Sequence, residues 1–381
     1  MDTIEDYCHL LEFKYSGKSK SFYDSYKFAF KRLAKEGYIN DIQTKSLDIK
    51  PLSMELSFGD VSLSTKIKNF QALIFILIEE KYNENTLNHF KTHFKTLCDR
   101  QNEKAEDQEM TEKQMKNWID YPDLFERFVQ FYEYEIKDKD VSYMALRNYT
   151  LIGLFVCIPP ARISNYTNMK FKEEKVLKGP NMKKDYNYLC FKRSKIQKEN
   201  GEWTNSYGQL QLIFNSYKTS NCIGQVVHGL LDAHFLNEDC IKSRDWQHLN
   251  EFSVKVGYKI MAELMVKYLE KREEQRRYWV GLNKRPSNCW LFTCDDGSPM
   301  TPQNMTFTLN TTSNHIFGKE LSCNMFRHIF LTHFFNKNYG IGSNKRVAML
   351  MGQTYNPTMM EKYVKKPIIE NDKDKISVSF S

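Results

Sequence analysis

Nine cysteines are scattered through 381 residues without one CxxC pair, and no spacing among them suggests a zinc site. An HExxH metal motif is also missing. His89 and His93 stand four apart, but Phe90, Lys91 and Thr92 lie between them and no third ligand is visible. No metal and no cofactor is therefore expected. Long apolar runs are lacking too. The strongest, Ala72 to Ile78, falls far short of the roughly 20 residues that cross a bilayer. The first residues carry no secretory pattern, so the thiols are expected to stay reduced in an intracellular protein of the nucleus or cytoplasm.

What is present points to packed domains and an anionic partner. Hydrophobic residues make up 41% and aromatics 14%, which argues against general disorder. The length suits two domains. The formal net charge of +8 favours an anionic partner, although a solvated basic surface gives the same sum.

Residues 1–118 read as helices. Phe22, Tyr26, Phe30 and Leu33 line one side of Ser21 to Lys35, and Gly37 closes it. Asn40 to Val61 reads as irregular. Ile67, Phe70, Leu73, Ile74, Leu77 and Ile78 give Lys66 to Lys81 a wide apolar face. Leu87, Phe90, Phe94 and Leu97 mark a further helix from Glu84 to Arg100. Lys18, Lys20, Lys66, Lys68, Lys91 and Lys95 could face phosphates or simply solvent.

The second part mixes helices with short strands. Helices are expected at Tyr121 to Tyr134, Tyr143 to Cys157, Glu251 to Arg277 and from Pro302 onward. Strands are expected at Met169 to Glu173, Tyr188 to Lys192, Gln209 to Ser216 and Gly224 to His228. The fold class is thus mainly α with a small antiparallel β-sheet, an α+β chain. The densest signal runs from Leu321 to Val364. Ser322 caps an apolar helix there, and Gly340 and Gly342 break it. A second helix, Lys345 to Met351, stops at Gly352, and Asn356 with Pro357 starts a third that carries Tyr363.

The run Asn324-Met325-Phe326-Arg327-His328, then Leu350-Met351-Gly352-Gln353, then Tyr363, resembles the second signature box of the tyrosine recombinases, the phage-integrase family. Ala161-Arg162, following Pro159-Pro160, resembles the first box, and Lys218-Thr219 resembles the family's β-hairpin lysine. The departures are Asn324 for the usual His or Lys, Gln353 for His or Trp, Asn165 for Glu, and a nucleophile one residue late. By residues alone, Arg162 could equally be a helix-start arginine in a local ion pair, Lys195 rivals Lys218, and Tyr355 rivals Tyr363. His328 reads as packing beside the arginine.

The resemblance implies a helical DNA-clamping domain at 1–118, a catalytic domain at 119–364 and a tail at 365–381. In that tail Ile376, Val378 and Phe380 alternate as in a short strand. It implies site-specific cleavage and rejoining of double-stranded DNA through a 3′-phosphotyrosyl bond, by a homotetramer on DNA and without a membrane. Integration, excision or resolution for a mobile element or large DNA virus is the implied setting. Tyr363 would attack phosphorus. Arg162 and Arg327 would grip the non-bridging oxygens, Lys218 would protonate the 5′ oxygen, and Gln353 would donate one more hydrogen bond. Asn324 can donate a hydrogen bond there but cannot take the tyrosine proton. A type IB topoisomerase and a DNA-binding protein without catalysis are the alternatives.

Overall fold

The structure is a computed structural model. It describes residues 3–18, 20–106, 110–167, 169–173, 185–197, 203–217, 220, 225–230, 252–281, 290–336, 341–353 and 364–365. The chain divides into two compact units, Met1–Asp107 and Gln108–Ser381, and no residue is shared between their buried cores.

The first unit is helical among its described residues: α1 (Ile4–Lys14), α2 (Lys20–Lys35), α3 (Tyr38–Gln43), α4 (Pro51–Ser57), α5 (Leu63–Glu79) and α6 (Glu84–Glu106). Ser62 caps α5 by accepting from the Thr65 N–H, and the helix buries Phe70, Leu73, Ile76 and Leu77 against α2 and α6. The stretch 40–61, which reads as irregular, holds α3 and α4. Each has under two turns, too short to show a period, and Pro51 starts α4 instead of breaking a chain. The α4 residue Glu55 is buried and meets Arg100 at 3.0 Å, His93 at 2.9 Å and Lys66 at 3.8 Å. Burial works to raise its carboxyl pKa, but hydrogen bonds and charge from Arg100 and His93 outweigh that and hold it down. His93 is thus a partner of a glutamate. Among the described residues no His, Cys, Asp and Glu group is placed to hold a metal, and no helix is long and apolar enough to cross a membrane.

The second unit is built around α9 (Tyr143–Val156), whose Leu146, Leu151, Leu154 and Phe155 are fully enclosed. Around it lie α7 (Glu112–Asn117), α8 (Tyr121–Glu135), α10 (Ile163–Thr167), α11 (Phe252–Gly281), α12 (Pro302–Phe317), α13 (Cys323–Asn336) and α14 (Ile341–Leu350). Contacts with α9 come from α8, α11, α12 and α13. The described strands form one sheet in the order β1 (Met169–Glu173), β2 (Asn187–Gln197), β3 (Trp203–Phe214) and β4 (Val226–Gly229). The β2–β3 and β3–β4 pairs are antiparallel, as expected, while β1 runs parallel to β2, making the sheet mixed. A parallel neighbour needs a crossover, and residues 174–186 supply its length. The basic run 178–198 therefore includes strand β2 within it.

Gly257 lets α11 approach the end of α9 closely. A Cβ at this position would stand 2.5 Å from the Cys157 carbonyl oxygen, and backbone cannot yield there as a side-chain tip can. Gly257→Ala is expected to destabilise the second unit by about 1–3 kcal/mol through overpacking. A thermal melt matching the parent protein would contradict that contact.

Candidate active site

Pro159 and Pro160 end α9 and turn the chain, and Ala161 is buried in the turn. Tyr166 on α10 folds this turn back on the helix. Its hydroxyl accepts from the Ala161 N–H and donates to the Leu154 carbonyl, each at 3.3 Å. Arg162 therefore leaves a braced bend, half-buried, and its Nη1 is enclosed with no hydrogen-bond partner among the described residues.

Helix α13 brings Arg327 to the same bend. Its side chain is 1% exposed, and Nη1 donates to the Pro160 carbonyl at 2.7 Å. The thiol of Cys323 reaches the Ala161 carbonyl at 3.6 Å. Burial raises the Cys323 pKa, while the charges of Arg327 and Arg162 oppose the rise, so both reach this thiol.

The turn after α14 approaches Asn165 on the helix that follows Arg162. Gly352 takes φ 65°, as its reading as a helix stop expects. A Cβ on it would stand 3.2 Å from Asn165 Nδ2 and 3.2 Å from the Tyr217 ring, so the left-handed φ favours glycine and any side chain would press on both neighbours. This one contact brings together the first-box segment, the residue before Lys218, and the second-box turn. Gln353 follows, 7% exposed, its backbone N–H held by the Ala348 carbonyl at 2.8 Å. Its Nε2 is enclosed and unpartnered among the described residues, and so are both side-chain polar atoms of Asn165. Each such atom costs about 1–3 kcal/mol when it has no partner, so Gln353 and Asn165 carry hydrogen-bonding capacity that no described group uses.

Two further residues hold the frame, and neither was apparent from the sequence. Asn187 at the start of β2 is fully buried. It donates to the carbonyls of Asn165 (2.8 Å) and Ser216 (3.0 Å), and accepts from the N–H groups of Asn215 and Ser216 (both 2.8 Å). His228 on β4 is fully buried between the Leu350 carbonyl (2.9 Å) and the Tyr258 hydroxyl (3.2 Å). Burial, helped by the charge of Arg346 and opposed by the bond to Leu350, lowers its pKa to about 4. The ring is thus neutral at pH 7, donating from Nε2 and accepting at Nδ1. A His and an Asn carry no periodic signal, and only long-range contacts give these two their roles.

The depressed His228 pKa fixes a sign. The unfolded chain takes up a proton near the ordinary value of 6.5 and the folded chain only near 4, so stability from this group is complete above 6.5 and lost as pH falls toward 4. His228→Gln keeps a donor but does not titrate. Urea midpoints should therefore fall more steeply over this pH range in the parent than in the variant; parallel slopes would refute the assignment.

Asn324 stands three residues before Arg327 on α13. It is exposed on α13 and lines a cavity of about 280 Å³ with Gln114, Asn117, Asn310, Ser322 and His328. Lys218, its rival role aside, and the tyrosines Tyr355 and Tyr363 lie outside the described residues, as does the tail strand at 376–380. Lys195 is on β2.

No family model matches the sequence, and no curated protein matches it. Among solved structures, the chain is similar to the crystal structure of XerA recombinase, at 10% identity and a TM-score of 0.34, covering 96% of this chain and 95% of that one. A likeness of that size carries no argument about function, which rests on the residues.

Proposed function

We propose that this chain breaks and rejoins DNA through a phosphotyrosine, as a site-specific recombinase of the tyrosine type. What supports the reading is that Arg162 follows the bend whose Pro160 carbonyl Arg327 holds, that the turn of Gly352 and Gln353 meets Asn165 just after that bend, and that Arg162 Nη1 and Gln353 Nε2 have no partner among the described residues. That donor set suits the non-bridging oxygens of a phosphodiester, whose charge grows as a fifth oxygen approaches phosphorus. Tyr363 would give up its phenolic proton to water and form the new P–O bond as the bond to the 5′ oxygen breaks. Lys218, two positions after Ser216 in the strand end held by Asn187, would give the leaving oxygen its proton. The phosphotyrosyl ester keeps the bond energy, and attack by a 5′ hydroxyl reverses the step. The substrate is double-stranded DNA, and the assembly on paired sites is a homo-oligomer, with the first unit clamping the duplex. Integration or excision for a mobile element is the role this chemistry serves.

A second reading, DNA binding without catalysis, is favoured by one observation. Asn324, exposed on α13, cannot accept the tyrosine proton. Incubation with a pool of nicked suicide duplexes separates the two. A protein–DNA band surviving denaturation supports the strand transferase, and binding without such a band supports the second reading. Monomeric relaxation of supercoiled plasmid would instead indicate a topoisomerase.

A further inference from the structure

The cavity of about 280 Å³ lies where α7 meets α12 and α13. Two contacts hold α7 there. Lys319 Nζ donates to the Lys116 carbonyl at 2.7 Å, and the Glu320 N–H donates to Asn117 Oδ1 at 3.1 Å. Asn117 Nδ2 donates to the Lys113 carbonyl at 3.1 Å, and Gln114 Oε1 accepts from the Thr111 N–H at 2.9 Å. These groups are taken up by the frame. What remains is different in kind. Lys113 and Glu320 both line the cavity, yet neither side chain forms an ion pair among the described residues. Asn310 Oδ1 is enclosed and has no hydrogen-bond partner among the described residues, and the exposed Asn324 adds a further amide to the wall. The lining thus offers a cation, an anion and an enclosed acceptor to something not of the chain itself.

We infer that this cavity binds a free zwitterionic amino acid with an amide side chain, of the glutamine kind. The Glu320 carboxylate would accept from the α-ammonium, and the Lys113 ammonium would donate to the α-carboxylate. The ligand's side-chain NH₂ would donate to Asn310 Oδ1, and its side-chain carbonyl would accept from the amides of Gln114 or Asn324. A plain anion or cation would leave the opposite charge and the Asn310 acceptor unmatched. Size narrows the class further. Ligand sites commonly run from about 300 to 1,000 Å³. At about 30 Å³ for each water displaced, this cavity suits a molecule of about ten non-hydrogen atoms and is too small for a nucleotide. No Phe, Tyr or Trp lines it, so the aromatic platform on which a base stacks is lacking. The bound molecule would tie α7 to α13 three residues before Arg327. Binding requires no DNA and stands apart from the proposed function.

The test is isothermal titration of the full chain, without DNA, against L-glutamine, its α-carboxamide and uridine. The parent should bind L-glutamine with a Kd below about 1 mM. The α-carboxamide lacks the negative charge and should bind at least about tenfold more weakly, as for a lost hydrogen bond to a charged group. Lys113→Met and Glu320→Gln should each weaken L-glutamine by about the same factor. Both positions are exposed, so melting temperatures should not change, and the ligand series on the parent needs no variant at all. The Lys113→Met protein should no longer distinguish L-glutamine from its α-carboxamide, because the two losses share one contact. No binding of L-glutamine at about 10 mM overturns the inference. So does uridine binding as tightly as L-glutamine, and so does unchanged affinity in both variants. The suicide-substrate result is independent: a chain that forms no adduct can still bind L-glutamine, and a chain that fails to bind it can still form the adduct.

Discussion

Arg162→Ala is expected to slow DNA cleavage by about two to three orders of magnitude with little change in melting temperature. The contrast with Arg327 is what makes this informative. Arg327 is enclosed and donates to the Pro160 carbonyl, so removing it empties a packed volume and orphans that oxygen. Cleavage and stability would fall together. Arg162 is only half-buried and its Nη1 bonds to nothing described, so on the proposed function truncation removes a phosphate-binding group and costs the fold little. Tyr363→Phe completes the comparison: it should eliminate the covalent adduct and leave duplex affinity nearly unchanged, since only the nucleophilic oxygen is lost. Single-turnover cleavage and melting on the same preparations measure both effects. An Arg162→Ala protein that cleaves at the parent rate would remove this residue from the chemistry, and adducts from Tyr363→Phe would move the nucleophile to Tyr355.

The largest stability effect is expected at Asn187. Its amide makes four hydrogen bonds, the full capacity of that side chain, and all four partners are backbone groups. Asn187→Leu, close in volume, leaves two carbonyls and two N–H groups without partners inside the second unit. At about 1–3 kcal/mol for each group, a loss of at least about 4 kcal/mol follows. Asn187→Asp retains the acceptors but sets a carboxylate against two carbonyl oxygens. Acidification restores one donor, so this variant should regain part of its stability as pH falls. Chemical denaturation at several pH values measures both. A loss under about 1 kcal/mol for the leucine variant would show that water replaces the network.

The sequence discloses those parts of the site that local chemistry decides. Gly352 reads as a helix stop and takes a left-handed φ, Pro159 and Pro160 end α9 and set up the bend bearing Arg162, and Ser322 caps α13 through the Met325 N–H at 3.3 Å. Helices with several apolar turns, such as α5 and α9, are legible for the same reason. What stays hidden depends on partners distant in the chain. Nothing near Asn187 announces Asn165 or Ser216, and nothing near His228 announces Leu350. The parallel pairing of β1 is set by a crossover, which has no local signature. Asn324 is exposed on α13, three residues before Arg327, and lines a cavity with Ser322 and His328, which its spacing in the sequence does not disclose.

The two buried cores have no residue in common, and this affects how every variant should be assayed. A single unfolding free energy is defined only for a chain that melts all at once, and a chain with two cores need not do so. Asn187, His228 and Gly257 all belong to the second unit, Glu55 to the first. In a calorimetric scan, substitutions at the first three positions should displace one heat-absorption peak and substitutions at Glu55 the other. Each peak can then be assigned to its stretch of sequence, and fragments 1–107 and 108–381 become natural calibrants for the intact protein.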